Sequence, residues 1–426
     1  GTGRGLFYRK RIRERNLKIY FKTFGCRTNI YDTQLIKSNL KSGEITHDEQ
    51  GADVVVINSC TVTNGADADV RNYVNKMNRL GKKILLTGCG AVSRGEELYK
   101  NGAVFGVFGM SQKEKIDEFL GSESKFYDIG GLDGVEKNLV SDYEDHTKAF
   151  IKIQEGCDFN CSYCIIPSVR GRSRSSSEDA ILKEAESLAA NGFSEIVLTG
   201  TNIGSYGKAA GTSLGALLQK LGAIRGIRRI RLGSIEPSQI DASFREILSE
   251  PWLERHLHIA LQHTSQKMLS IMRRRNSALR DLELFCELAE RGFALGTDFI
   301  VAHPGESEEL WLEAVENFKK FPLTHLHAFI FSPRQGTASA SLKGRIDGKT
   351  AKARLKMLQN ITALNNYKFR LSHKVPLNVL IERKSGEFYE GYDQFYDKIW
   401  IKSDEDLSKK WMEIRDYEVK FDGNFA

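Results

Sequence analysis

Three β-branched or apolar runs near the start of the chain each end in cysteine: LKIYFKTFGC at Cys26, ADVVVINSC at Cys60 and KKILLTGC at Cys89. Successive cysteines lie roughly 30 residues apart, the length of one βαβ step. Helical stretches fill the gaps, NIYDTQLIKSNLKSG after the first run and DADVRNYVNKMNRLG after the second. Strands alternating with helices predict an α/β domain with a parallel sheet covered on both faces. Sites in such sheets form outside the carboxyl ends of the strands. Three cysteines far apart in sequence are therefore expected at one sheet edge.

A second alternating series follows a polar linker, GVEKNLVSDYEDHT, at residues 134–147. Its strands read KAFIKIQEG, SEIVLTGTN, IRRIRLGSIEP, HLHIALQHT, FALGTDFIVAHP and LTHLHAFIFSP. Six β/α units are too few to close an eight-stranded barrel and predict a partial (β/α)6 barrel, again with its site at the strands' carboxyl ends. A long helix, GKTAKARLKMLQNITALNNYKFRLSHK, leads to a tail of short alternating strands, predicted to form a small β-barrel. The expected domains are 18–130, 143–372 and 373–426.

No stretch reaches the ~18 apolar residues of a membrane span. The start, GTGRGLFYRKRIRERN, is basic but lacks an apolar core like that of a secretory signal. The chain is read as cytoplasmic, without a membrane partner. A net charge of +7 is compatible with RNA. Seven cysteines, an odd count, argue against a disulfide framework. Cys286, in LRDLELFCELAERG, reads as a small buried apolar residue. The other six fall into two threes.

The second three are packed into EGCDFNCSYCIIP: Cys157, Cys161 and Cys164, spaced C-x3-C-x2-C. Three such thiolates can hold three irons of a 4Fe–4S cluster and leave the fourth open to chelate a small molecule. A zinc site wants a fourth protein ligand, and no cysteine or histidine closes this loop. A redox C-x-x-C pair would leave Cys157 without a role.

GCDFNCSYC, with an aromatic residue just before the last cysteine, resembles the radical S-adenosylmethionine (SAM) enzymes. Cys26, Cys60 and Cys89 upstream, with a small β-barrel downstream, narrow the resemblance to the methylthiotransferases. It runs over about residues 18–424 through GCRTNIYDTQ, VVINSCTVT, LLTGCGA, CSYCIIPSVRGRSRS, EIVLTGTNIGSYG, RLGSIEP and FSPRQGT. The resemblance implies two 4Fe–4S clusters: one on the catalytic Cys157, Cys161 and Cys164, where SAM binds and yields a hydrogen-abstracting 5′-deoxyadenosyl radical, and one on Cys26, Cys60 and Cys89, which carries the sulfur. It places Tyr163 near the adenine and Thr199, Gly200, Thr201 and Asn202 near the amino and carboxylate groups of SAM. Glu236 and Gln262 are further SAM contacts, and the tail is a TRAM domain. The implied partners are tRNA, a reductase or flavodoxin-type electron donor and a sulfur donor.

Three branches of the family differ in substrate: threonylcarbamoyladenosine in tRNA, isopentenyladenosine in tRNA, or an aspartate of a ribosomal protein. GCRTNIYDTQ resembles the first, with a basic residue after the cysteine, then Asn, then an acidic residue followed by Thr. The expected reaction is conversion of N6-threonylcarbamoyladenosine at position 37 of tRNA to its 2-methylthio derivative. The competing reading from another class is a non-catalytic iron–sulfur RNA-binding protein, which an open iron disfavours. Arg27, Arg170, Arg172 and Arg174 are candidate substrate contacts, and Arg273, Arg274 and Arg275 are candidate phosphate contacts or a helix-end charge preference. In the tail, Tyr389, Tyr392, Phe395, Tyr396 and Trp400 interleave with Lys398 and Lys402, a pattern that suits RNA stacking, although at least half are expected in the core. The sequence departs from the family pattern at IALQHTSQKML, at Ala302-His303 and at Asn276-Ser277.

Overall fold

The computed structural model describes residues 17–134, 138–143 and 146–426. Part of the 134–147 linker and the basic start of the chain lie outside the described residues. Contacts divide the chain into two units, 1–140 with 166–172 and 141–165 with 173–426.

The first unit is built on six strands: β1 (Lys18–Thr23), β2 (Glu44–Ile45), β3 (Val54–Ser59), β4 (Lys83–Gly88), β5 (Gly106–Phe108) and β6 (Phe126–Asp128). They pair in parallel in the order β2-β1-β3-β4-β5-β6. Every residue of β3 is buried, as a central strand with helices over both faces requires. One face packs Val55, Ile57 and Leu86 against Val70, Val74 and Met77 of helix Asn64–Arg79. The other packs Val54, Val56 and Leu85 against Ile36 and Phe119. Both helices after the first two cysteines form where the periodicity places them, Arg27–Ser38 and Asn64–Arg79. A third, Cys89–Lys100, starts on the last cysteine itself.

The second unit opens with β7 (Ala149–Glu155) and the two-residue antiparallel β8 (Arg174–Ser175). β9 (Glu195–Gly200), β10 (Arg229–Leu232), β11 (His256–His258), β12 (Ala294–Val301) and β13 (Leu323–Ile330) follow. β10-β9-β7-β8 form one sheet and β11-β12-β13 another. Parallel bridges Ile230↔Leu253 and Ile235↔Ile259 join them across β10 and β11. The result is the expected open barrel of six parallel strands. β11 has three residues, fewer than HLHIALQHT offers, and beyond it the pairing continues only as single bridges at Ile259 and at Gln262, the latter with φ +65°.

Helix Gly348–Ser372 carries the chain to β14 (Leu377–Ser385), β15 (Phe388–Tyr392), β16 (Lys398–Lys402), β17 (Trp411–Ile414), β18 (Glu418–Lys420) and β19 (Gly423–Phe425). These form a curled sheet in the order β17-β14-β15-β16-β19-β18. Its core, with Leu377, Val379, Tyr389, Phe395 and Ile399, includes Ala294 from the start of β12. The curled sheet therefore shares apolar packing with the barrel.

Candidate active site: two cysteine triads

In the first unit the three cysteines stand at the carboxyl ends of β1, β3 and β4, as the alternation predicts. Each adjoins a helix start. Cys26 precedes helix Arg27–Ser38, Cys60 lies just before Thr63, which caps helix Asn64–Arg79, and Cys89 is the first residue of its helix. Helix N-termini favour thiolate over thiol. Two glycines make the approach possible. A Cβ on Gly25 (φ +105°) would fall 2.8 Å from Cβ of Cys60, and one on Gly88 (φ +89°) would fall 2.3 Å from Oδ1 of Asn58. Cys26 is exposed, whereas Cys60 and Cys89 are buried. Burial pushes the Cys89 thiol up to about 11, against the opposing pull of Arg170.

That arginine is the main surprise of the first unit. Arg170 lies on helix Ile166–Arg170, which packs within the first unit. Its Nε donates to Cys89 Sγ at 3.0 Å, its Nη1 to Asp32 Oδ2 at 2.7 Å and its Nη2 to Asn29 Oδ1 at 2.6 Å. Asp32, 0% exposed, also accepts from Lys113 Nζ at 2.8 Å. Arg170 is 3% exposed, so its expected role as a phosphate contact is corrected: the guanidinium is spent on a carboxylate, an amide and a sulfur. Asn29 in turn donates to the carbonyls of Phe24 and Ser59, fastening the loops that carry Cys26 and Cys60. The remaining arginines of the expected set divide. Arg27, the first residue of its helix, is half-buried and Arg172 is exposed, while Arg174 on β8 pairs with Glu155 at 3.4 Å.

In the second unit, Cys157, Cys161 and Cys164 occupy the loop after β7 and are all half-buried. Cys157 Sγ accepts from Phe159 N at 3.4 Å and from Asn202 Nδ2 at 3.6 Å. Asn202 is held by Gln154 Oε1 on its own N and by Gln239 Nε2 on its Oδ1, both at 2.7 Å. Thr201 Oγ1 accepts from Gly156 N at 3.2 Å. A Cβ on Gly200 would fall 2.6 Å from the carbonyl of Gln154. The Gly200–Asn202 segment thus lies against the first cysteine, and Thr199, the last residue but one of β9, is buried.

Arg274 supplies what the sequence reading did not assign. Its Nη1 donates to Glu236 Oε1 at 2.9 Å and reaches Cys161 Sγ at 3.7 Å, and its Nη2 donates to Glu236 Oε2 and to the Ala260 carbonyl. Its side chain is 2% exposed, so the phosphate reading is corrected for Arg274. Glu236 also accepts from Gln239 N in a capping box. Burial raises the Tyr163 hydroxyl well above its usual range and keeps it neutral. The departures from the family pattern are structural. Buried His303 bonds Ser339 Oγ at 2.8 Å, and Ser339 N and Oγ bond Ser162 O and Oγ, bracing the loop between Cys161 and Tyr163. Buried His263 bonds Glu306 at 3.0 Å, and Asn276 links Arg274 Nε to Asp281.

In each triad an N–H of the chain is directed at a sulfur, Cys89 in the first and Cys157 and Cys161 in the second, the donor pattern a thiolate ligand needs. Among the described residues, the histidine, cysteine and carboxylate donors that converge tightly enough for a single ion are those of His258, Asp298 and His327. The sequence reading also misplaced Cys286, which is exposed on helix Ala278–Glu290.

Residues 18–109 match the family described as "Uncharacterized protein family UPF0004", and residues 151–318 match the radical SAM superfamily. A Helicobacter pylori (strain J99) protein named as a methylthiotransferase is 48% identical over 96% of this chain and 99% of its own length. The chain belongs to the radical SAM methylthiotransferases. Membership implies a 4Fe–4S cluster and SAM. The Threonylcarbamoyladenosine tRNA methylthiotransferase MtaB of Aquifex aeolicus is 34% identical, over 84% of this chain and 91% of that one. The tRNA-2-methylthio-N(6)-dimethylallyladenosine synthase of Fervidobacterium nodosum is 32% identical, over 88% and 90%. Among solved structures, the radical SAM methyltransferase TsrM of Kitasatospora setae shares the fold, with TM-score 0.59 and 16% identity over 76% of this chain and 77% of that one. No helix among the described residues is long and apolar enough to cross a membrane.

Proposed function

We propose that this methylthiotransferase acts in the cytoplasm on tRNA, converting N6-threonylcarbamoyladenosine at position 37 to its 2-methylthio derivative. Two 4Fe–4S clusters serve it, on Cys26, Cys60 and Cys89 and on Cys157, Cys161 and Cys164. Bound, these and SAM supply the hydrogen-abstracting radical and the sulfur. The chain's own part is to hold and orient. Thr199, Gly200, Thr201 and Asn202 present SAM beside Cys157, with Tyr163, Glu236 and Gln262 around it. Residues 18–130 hold the sulfur-bearing group, 143–372 the radical site, and 373–426 grip the RNA. A reductase or flavodoxin-type protein supplies electrons.

Relatives of nearly equal identity are named for the threonylcarbamoyl and dimethylallyl substrates, so identity alone does not choose between them. Arg27 carries the choice. It follows exposed Cys26 at the first turn of its helix, a place where an arginine can pair with the carboxylate of a threonyl group. An apolar isopentenyl chain offers no such charge-assisted contact. The test is methylthiolation of two tRNAs by purified enzyme, followed by nucleoside mass spectrometry. Product on the threonylcarbamoyl form alone, and a raised KM in Arg27→Ala at unchanged iron content, are expected. Equal activity on both tRNAs overturns the reading.

A further inference from the structure

The inner face of β11, β12 and β13 carries a polar cluster to which the proposed reaction assigns no part. The register makes it. His258 on β11 pairs with Gly296 on β12, and Asp298, two residues on, pairs with His327 on β13. Side chains two apart share a face of a strand, so all three point the same way. The opposite face of β12 carries Phe299, packed on His263 and Phe318. Gly296 leaves the room: a Cβ there would lie 2.7 Å from His258 Nδ1.

Both imidazoles address one carboxylate oxygen. Asp298 Oδ1 lies 3.1 Å from His258 Nε2 and 3.6 Å from His327 Nδ1, and all three donor atoms fall within 4.8 Å of one another. Ser234 Oγ donates to the other oxygen, Oδ2, at 3.3 Å, which fixes the carboxylate with Oδ1 turned to the histidines. His258 Nε2 is a buried atom whose near neighbour is this carboxylate, 3.1 Å away. Donors bonded at about 2.1 Å around a tetrahedral ion stand about 3.4 Å apart, in the range seen here. His327 is 63% exposed, so the set is open on one side.

We propose that His258, Asp298 and His327 bind one divalent first-row transition cation, such as Zn2+, Co2+ or Fe2+, facially. Two imidazoles and one carboxylate select such ions over Mg2+ and Ca2+, which prefer all-oxygen shells. The remaining positions face the barrel interior and accept water or an oxygen of a bound ligand. The site uses none of the six triad cysteines and does not depend on the choice of tRNA substrate.

Cobalt is the probe, because its visible bands report its ligands and iron is already abundant in the loaded enzyme. Anaerobically reconstituted holoenzyme is titrated with Co2+ and assayed for cobalt and iron after desalting. The expected result is one cobalt per chain, displaced by Zn2+, with iron unchanged. His258→Ala and His327→Ala should each weaken cobalt binding at least tenfold. Asp298→Asn, close in shape and so able to keep the fold, should do the same at unchanged iron and unchanged melting. Absence of cobalt uptake by the wild type overturns the proposal. So does uptake that all three variants retain, which would place the cobalt elsewhere, on a cluster for example.

Discussion

The two cysteine triads use one device in two scaffolds. In each, a buried arginine held by a carboxylate extends an N–H toward a cysteine sulfur: Arg170 on Asp32 toward Cys89, and Arg274 on Glu236 toward Cys161. They differ in how the sulfurs are gathered. The barrel triad is a property of one loop, eight residues long from Cys157 to Cys164. The sheet triad exists only once β1, β3 and β4 have paired, because its members come from three strand ends. The barrel site therefore depends on local sequence and the sheet site on topology.

The largest effects separate the triads outright. Cys161→Ala should abolish reductive SAM cleavage and methylthiolation alike. Cys60→Ala should still yield 5′-deoxyadenosine but no methylthio product. Wild-type enzyme should hold about eight irons, and the Cys157, Cys161 and Cys164 triple alanine variant about half as many, by colorimetric assay of reconstituted protein. A triple variant without iron would make the two sites one.

The arginines come next. Partners of metal ligands that are not ligands themselves typically affect metal affinity or activity by roughly 10–100-fold. Arg170→Ala should lower methylthio product by that order while 5′-deoxyadenosine formation persists, and Arg274→Ala should depress both. Arg170→Lys should recover part of the loss. If Arg170→Ala slows SAM cleavage as much as product formation, the parallel between the two arginines fails.

A smaller effect tests the charge network beside the barrel triad. Asp281, bonded by Asn276, is pushed up to about 6, chiefly by burial. A carboxyl raised in the folded state above its unfolded value near 3.9 binds its proton more tightly when folded. Stability therefore falls as pH rises from about 4 to 6, and the loss persists above that. Asp281→Asn should remove this pH dependence and stabilise the enzyme at pH 7 by about 1–2 kcal/mol, measured by urea denaturation at about pH 4 and at pH 7. Smallest of all, Cys286→Ser on an exposed helix face should change stability by less than about 0.5 kcal/mol and leave iron content untouched.

Much of this was legible in advance. The strand–helix alternation placed β1, β3 and β4 and the six parallel strands of the barrel, though not the short β2, β5, β6 and β8, and the spacing C-x3-C-x2-C located the barrel loop. The residues that escaped are those whose partners are distant in sequence. Arg170 reads as one of a run of exposed basic residues, yet Asp32 stands 138 positions away. Arg274 reads as a helix-end charge, yet Glu236 is 38 positions away. The His258, Asp298 and His327 set follows from strand register, which hydrophobic alternation does not number. HLH on β11 and THLH on β13 were the available signal, two histidines on one face of each strand. Cys286 was misread because its helix presents that position to solvent, although Leu284, Phe285 and Leu288 beside it are buried.

The helix that carries Arg170 also has a consequence for how the molecule is made. The first unit is discontinuous: after residue 140 the chain departs, and the unit is completed only by residues 166–172. A ribosome adding about 5–20 residues per second needs about 2–6 seconds to bring that helix out after the unit's main body has been synthesised. During that interval the sheet stands without its final piece, and Asp32 without the arginine that it will hold. The nascent chain thus delays finishing the sheet site until the barrel's own cysteine loop has been translated.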